Sequence, residues 1–321
     1  MSDSADTASG SPTPVLSYAP LVLPVPGRPV HLQVRVSAPA TGTGLPVVLL
    51  SHGHGASRNL SSLNGYAPLA DLWAAAGFVV VQPTHLDSAT LSDQVAGAPG
   101  APLFWRSRAE DMSRILDRLG EIERTVPLLA GRIDHDRIAV AGHSLGGHTA
   151  GLLLGARLTD PDTGKDVDLL EPRIKAGVLL AAPGRGGDVL NGPMAEAVPF
   201  MRTTDFSTMT APALVVAGDR DDARHFTDVG PDWHTDPYRL APAPKSLLTL
   251  ADAGHILGGI SGYDAAEAAQ LSDENPRQVA ALGRLTAAYL RSRLRPGDDA
   301  WETACQELAT GAAPLGRVET K

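Results

Sequence analysis

The chain has a single cysteine, Cys305, so it can form no internal disulfide and no cysteine-built zinc site. Aromatic residues are scarce, at 4%. Basic residues are outnumbered: 27 Lys and Arg face 36 Asp and Glu, a formal net charge of −9 that leaves no electrostatic footprint for nucleic acid. No apolar run approaches the roughly 18 residues that suggest a membrane-spanning helix. The first 14 residues carry neither the positive start nor the apolar stretch of a secretory signal, and they read as a flexible tail on a cytoplasmic protein. The 33 glycines show no three-residue period, which excludes a collagen-like fibre. What is present is ordinary globular composition, 43% hydrophobic and 20% charged over 321 residues, which excludes a disordered chain.

Two strand-like stretches, 16–25 and 30–36, are separated by the turn signal Pro26-Gly27. From Pro46 onward, short β-rich runs alternate with amphipathic helices. Runs at 46–50, 78–81, 137–141, 176–182, 213–217 and 245–250 read as strands. Segments 68–76 and 107–123, and a final segment from Pro276, read as helices. In the second of these, Met112, Ile115, Leu116, Leu119 and Ile122 recur as one apolar stripe. Unbroken apolar strands require a sheet covered on both faces. The expectation is one α/β domain over 15–321, with a mostly parallel, doubly wound sheet and antiparallel N-terminal strands. Ligand sites in such sheets lie at the carboxyl ends of the strands.

The strand at 137–141 runs into Gly142-His143-Ser144-Leu145-Gly146, followed by a small-residue helix. This is the Gly-x-Ser-x-Gly elbow, a tight strand-to-helix turn that exposes a serine. A serine hydroxyl is a weak nucleophile and needs a base, itself oriented by an acid. In this architecture the acid and then the base follow the serine in the chain. His255, just past the last strand, is the expected base; His148 reads as a packing or helix-surface residue, and His225 and His234 are weaker candidates. The strand at 213–217 ends in Gly218-Asp219-Arg220-Asp221-Asp222, which offers three carboxylates. Backbone N–H groups of Leu145 and His54 are the expected oxyanion donors. The His52-x-His54 pair has no carboxylate or further histidine nearby in sequence, so no metal is expected, and no third glycine completes a dinucleotide fingerprint.

The SHGHG, GHSLGG, GDRDD and AGH segments resemble the α/β-hydrolase superfamily over about residues 46–295. Within it, "RSRAEDMSRILDRL…RIDHDRIAVAGHSLGGHTA" is similar to the platelet-activating-factor acetylhydrolase, chlorophyllase, dienelactone-hydrolase-like and cutinase-like esterases. The first two branches usually take the acid from the preceding strand, which here ends Leu180-Ala181-Ala182-Pro183 without a carboxylate. The resemblance therefore favours the dienelactone-hydrolase or cutinase-like arrangement. It implies Asp221 as the acid, from the Gly-x-x-Asp form of that loop, with Asp222 as runner-up and Asp219 as a turn cap. It also implies ester hydrolysis through an acyl-enzyme without a cofactor.

Three connections are long enough to shape a pocket: 85–104, 183–210 and 222–244. Trp105, Phe200, Met201, Phe226 and Trp233 mark an apolar substrate site for a small-molecule ester, an expectation balanced by the alternative that they close the core beneath the loops. Arg108 and Asp111 read as a structural ion pair. The rival functions are an acyltransferase or lyase on the same scaffold, and a non-catalytic binding protein. Neither the particular ester nor the oligomeric state is encoded in any motif.

Overall fold

The computed structural model describes residues 13–262, 274–311 and 315–321; most of the expected tail, residues 1–12, lies outside them. The chain opens with β1 (Val15–Leu23), β2 (Leu32–Pro39) and β3 (Leu45–Ser51). Next come α1 (Ala67–Ala75), β4 (Val79–Thr84), α2 (Ser92–Val95), α3 (Trp105–Asp117) and α4 (Leu119–Thr125). After these come β5 (Ile133–His143), α5 (Leu145–Leu153), β6 (Arg157–Thr159), β7 (Asp166–Asp168) and β8 (Ile174–Leu180). The last part holds β9 (Ala213–Gly218), α6 (Asp236–Arg239), β10 (Lys245–Leu250), α7 (Pro276–Leu294), α8 (Ala300–Thr310) and β11 (Gly316–Thr320).

Nine strands form one sheet in the order β1-β2-β4-β3-β5-β8-β9-β10-β11, and β6 and β7 form a small separate pair. The six strands from β4 to β10 in that order are mutually parallel. At the N-terminal edge β1 pairs antiparallel with β2 and β2 with β4, and at the opposite edge β11 pairs antiparallel with β10. Every residue of β3, β4, β9 and β10 is buried, as expected for a sheet covered on both faces. The two-residue repeat of a strand divides that burial between two cores. Val47 and Leu49 of β3 enter one core, with Met112 and Ile115 of α3 and Leu153 of α5. Val48 and Leu50 enter the other, with Leu69 and Trp73 of α1 and Leu282 and Leu290 of α7.

Several expected boundaries shift. The helix expected at 107–123 is two helices that part at Arg118, although its apolar stripe stays buried throughout. The segment from Pro276 is not the final element, because α8 and β11 follow it. Among the described residues no helix is long and apolar enough to cross a membrane.

Candidate active site

β5 delivers Ser144 to the carboxyl edge of the sheet. Its φ of 54° and ψ of −122° put a non-glycine residue in a strained region, and its N–H is pinned to Leu180 O at 2.9 Å. The turn closes only because both flanking positions lack a side chain. A Cβ on Gly142 would lie 2.0 Å from the Gly146 carbonyl oxygen, and one on Gly146 would lie 2.1 Å from that of Ser51.

The loop after β9 carries Asp221, and the loop after β10 carries His255. The two loops are stitched together, since the N–H groups of Asp219 and Arg220 donate to Leu250 O and Ala253 O, each at 3.0 Å. His255 Nδ1 lies 2.8 Å from Asp221 Oδ2, and its Nε2 lies 2.9 Å from Ser144 Oγ. An ionised carboxylate can only accept, so the ring proton sits on Nδ1 and leaves Nε2 to receive the serine hydroxyl. Burial would raise the Asp221 carboxyl, but His255 and His234 beside it outweigh that and hold it far below the usual carboxylate range. Such a chain can draw a proton from the serine as its oxygen attacks a carbonyl.

The other carboxylates of the loop go elsewhere. Asp222 pairs with Arg224 at 2.7 Å, and Asp219 is exposed. His148 is buried in α5 against Phe200, and burial followed by the Arg108 charge lowers it to about 3. His225 and His234 both line the cleft, and His234 approaches Asp221. Among the described residues one trio of metal-capable side chains converges, Asp221, His234 and His255. The bond between Asp221 and His255 would have to break for an ion to enter there.

His54 and Leu145, the expected oxyanion donors, line the cleft beside Ser144. Beneath them lies a buried ionic cluster that sequence reasoning missed. His54 Nδ1 bonds Asp87 Oδ2 at 2.9 Å, and Asp87 Oδ1 meets Arg108 Nη1 at 2.5 Å. Arg108 also donates to the His52 carbonyl and, at 3.1 Å, to Thr149 Oγ1 on α5, which joins the loop after β3 to the elbow helix. Burial opposes ionisation of Asp87, yet Arg108 and the His54 bond hold it well below the usual range. Arg108 and Asp111 are therefore not partners of each other. Both side chains are buried on α3, but Asp111 pairs instead with Arg28 at 3.0 Å and with His85 at 3.2 Å. The carboxylate and histidine absent near His52 and His54 in sequence are thus supplied in space by Asp87 and His85. His52 Nε2 accepts the His85 N–H at 3.1 Å.

The cleft over Ser144 has a volume of about 700 Å³. Met201, Phe226 and Trp233 line it, joined by Leu103 and Val198. Trp105 and Phe200 are not lining residues, contrary to expectation. Their rings stack on each other at 5.7 Å and pack into the apolar cluster that contains Met201 and Trp233. At the rim, Arg220 pairs with Asp252, so both rim arginines are matched by carboxylates. Compared with known families and with curated proteins, the chain matches none.

Proposed function

We propose that the protein is a serine hydrolase of the α/β-hydrolase type, cleaving carboxylic esters through an acyl-enzyme. The observation that carries this reading is the continuous chain from Ser144 Oγ through His255 to Asp221, at 2.9 and 2.8 Å, on a strained elbow at the sheet edge. Ser144 attacks the ester carbonyl while His255 Nε2 takes its proton. The negative oxygen of the tetrahedral intermediate is received by the N–H groups of His54 and Leu145. Collapse expels the alcohol, which regains the proton from His255. Water then attacks the acyl group with His255 again as base, and Ser144 is restored.

The cleft supports a neutral ester with an apolar portion. Its inner wall is aliphatic and aromatic, and the rim arginines are already neutralised by Asp222 and Asp252. A fluorophosphonate probe should label Ser144, and p-nitrophenyl esters from acetate to palmitate should be turned over. In Ser144→Ala, labelling should vanish and turnover should fall to the residue left by binding and oxyanion stabilisation, about 10³–10⁴-fold over water in a comparable triad. Undiminished hydrolysis by that variant would end the reading. An acyl-enzyme that decays only when an alcohol is supplied would favour acyl transfer.

A further inference from the structure

Asp221 carries two imidazoles on one oxygen. His255 Nδ1 lies 2.8 Å from Oδ2, and His234 Nε2 lies 3.1 Å from the same atom. The second contact is not a surface coincidence, since only 2% of the His234 side chain and 5% of the Asp221 side chain are exposed. The other nitrogen of His234 settles its tautomer. Nδ1 is 2.9 Å from the Ala182 carbonyl oxygen, just past β8. A carbonyl can only accept, so Nδ1 carries a proton. A neutral ring would then leave Nε2 a bare acceptor only 3.1 Å from an anionic oxygen in a buried site, with no proton between them, and the two would repel.

We propose that His234 is a positioning residue held as the imidazolium, a second cationic partner that tempers the charge Asp221 presents to His255. The Nε2 approach is not aligned as a hydrogen bond, so the pull is that of charge on charge. Were the shared proton to sit on Asp221, it would occupy the weaker base of the two, a carboxyl that two imidazoles already favour as its anion. Among the described residues, the remaining groups around the ring do not supply a competing counter-charge. His143 of the elbow is neutral, lowered to about 3 by burial and then by the His255 charge. On the connection that bears His234, Asp232 pairs with Arg239 at 3.3 Å and Asp236 accepts the Arg185 N–H at 3.0 Å. Across the cleft Arg220 and Arg224 have their own carboxylates.

The consequence is a weaker base at His255. With Asp221 half-neutralised, the imidazolium formed as Ser144 attacks is stabilised less, so the neutral working form of His255 survives to lower pH. The kinetic arm of the test rests on the serine-hydrolase reading; the spectroscopic arm does not. In protein carrying ¹⁵N-histidine, both ring nitrogens of His234 should show imidazolium shifts at pH 7. Its signals are assigned by their loss in His234→Gln or, should that variant not fold, by through-space contacts with the ring of Trp233, 5.3 Å away.

In His234→Gln the acid limb of kcat/KM should move upward by about one pH unit, the low end of what an adjacent charge does. At pH 5.5 its kcat/KM should then be about a tenth of that of the unaltered protein, with a smaller change on the plateau. A neutral-type Nε2 shift at pH 7 would overturn the proposal, as would an acid limb that stays put or moves down. If no ester is hydrolysed and Ser144 takes no label, the functional reading fails while the nitrogen shifts still decide the charge of His234.

Discussion

Tyr66 Oη lies 2.7 Å from His143 Nδ1 and also receives the Gly53 N–H at 2.9 Å, so one hydroxyl joins the loop after β3 to the elbow. The bond direction is fixed along the whole path. Tyr66 donates to Nδ1, which leaves the proton of His143 on Nε2, and Nε2 donates to the His255 carbonyl at 2.7 Å. Tyr66→Phe keeps the ring but orphans two buried polar groups, so stability should fall by about 1–3 kcal/mol. Ester turnover should lose about tenfold or more in kcat with KM little changed, because the proposed oxyanion donors and the proposed base lose their common anchor. Steady-state kinetics beside urea denaturation separate the two effects. An unchanged kcat in a destabilised variant would make the tie structural only.

The three carboxylates after β9 should differ sharply in ester-hydrolysis assays. Asp221→Asn keeps the shape but removes the charge facing His255, a change that costs about 10⁴-fold in kcat in a comparable triad. Asp222→Asn and Asp219→Asn should stay within a few-fold, since the first gives up only an exposed pair with Arg224 and the second an exposed side chain. If Asp222→Asn were the most damaging of the three, the assignment of the acid would shift by one residue.

Arg108 should be among the costliest positions for stability. Its side chain is fully buried, and Arg108→Met would leave Asp87 a buried anion without its cationic partner, held only by the His54 ring. Breaking such a pair costs about 3–5 kcal/mol. The urea midpoint should fall accordingly, whereas the double variant Arg108→Met with Asp87→Leu should recover part of the loss. No recovery would show that Arg108 acts through the His52 carbonyl and Thr149 rather than through Asp87.

Stability should begin to fall well above the range where carboxylates titrate. His85, His143 and His148 are lowered by burial to about 4, 3 and 3, and His52 is lowered well below its usual value by the same cause. Below about pH 6.5 the unfolded chain protonates these rings while the folded one does not, so unfolding takes up protons and stability drops with falling pH. Each ring contributes up to about 1.4 kcal/mol per pH unit until its own folded value is reached. The depressed Asp87, Asp111 and Asp221 act with the same sign at lower pH: their stability is present above the ordinary carboxylate value and is lost as pH falls toward their folded ones. The pH dependence of the melting temperature checks this. A flat profile between pH 6.5 and 5 would contradict it.

The sheet and elbow were legible because their signals are local. Seven consecutive buried residues in β3 spell a covered strand, and the spacing of Gly142, Ser144 and Gly146 spells a turn with no room for side chains. β11 left no such trace. Its residues are half-buried or exposed, and it exists through a pairing with β10 made across some 70 residues of chain, as in Ser246 opposite Thr320. α8 fully buries only Trp301; Ala304, Cys305 and Leu308 continue its stripe half-buried, and a stripe of mostly small residues is a weak signal. The same limit applies around Ser144. Asp221 and His255 sit at strand ends that the apolar runs announce, while Tyr66, Asp87, Arg108 and the seat of His234 act through contacts between distant segments. Trp105 and Phe200 misled because an aromatic near a strand end satisfies the description of a lining residue and of a ring packed behind the lining equally well.

Both nitrogens of His143 are spoken for, one by Tyr66 and one by the His255 carbonyl. The nominally variable position of the elbow is therefore constrained much as its two glycines are. In a library randomised over residues 142–146 and sorted for turnover, histidine at 143 should return nearly as invariant as Ser144, although it never meets the reacting carbon.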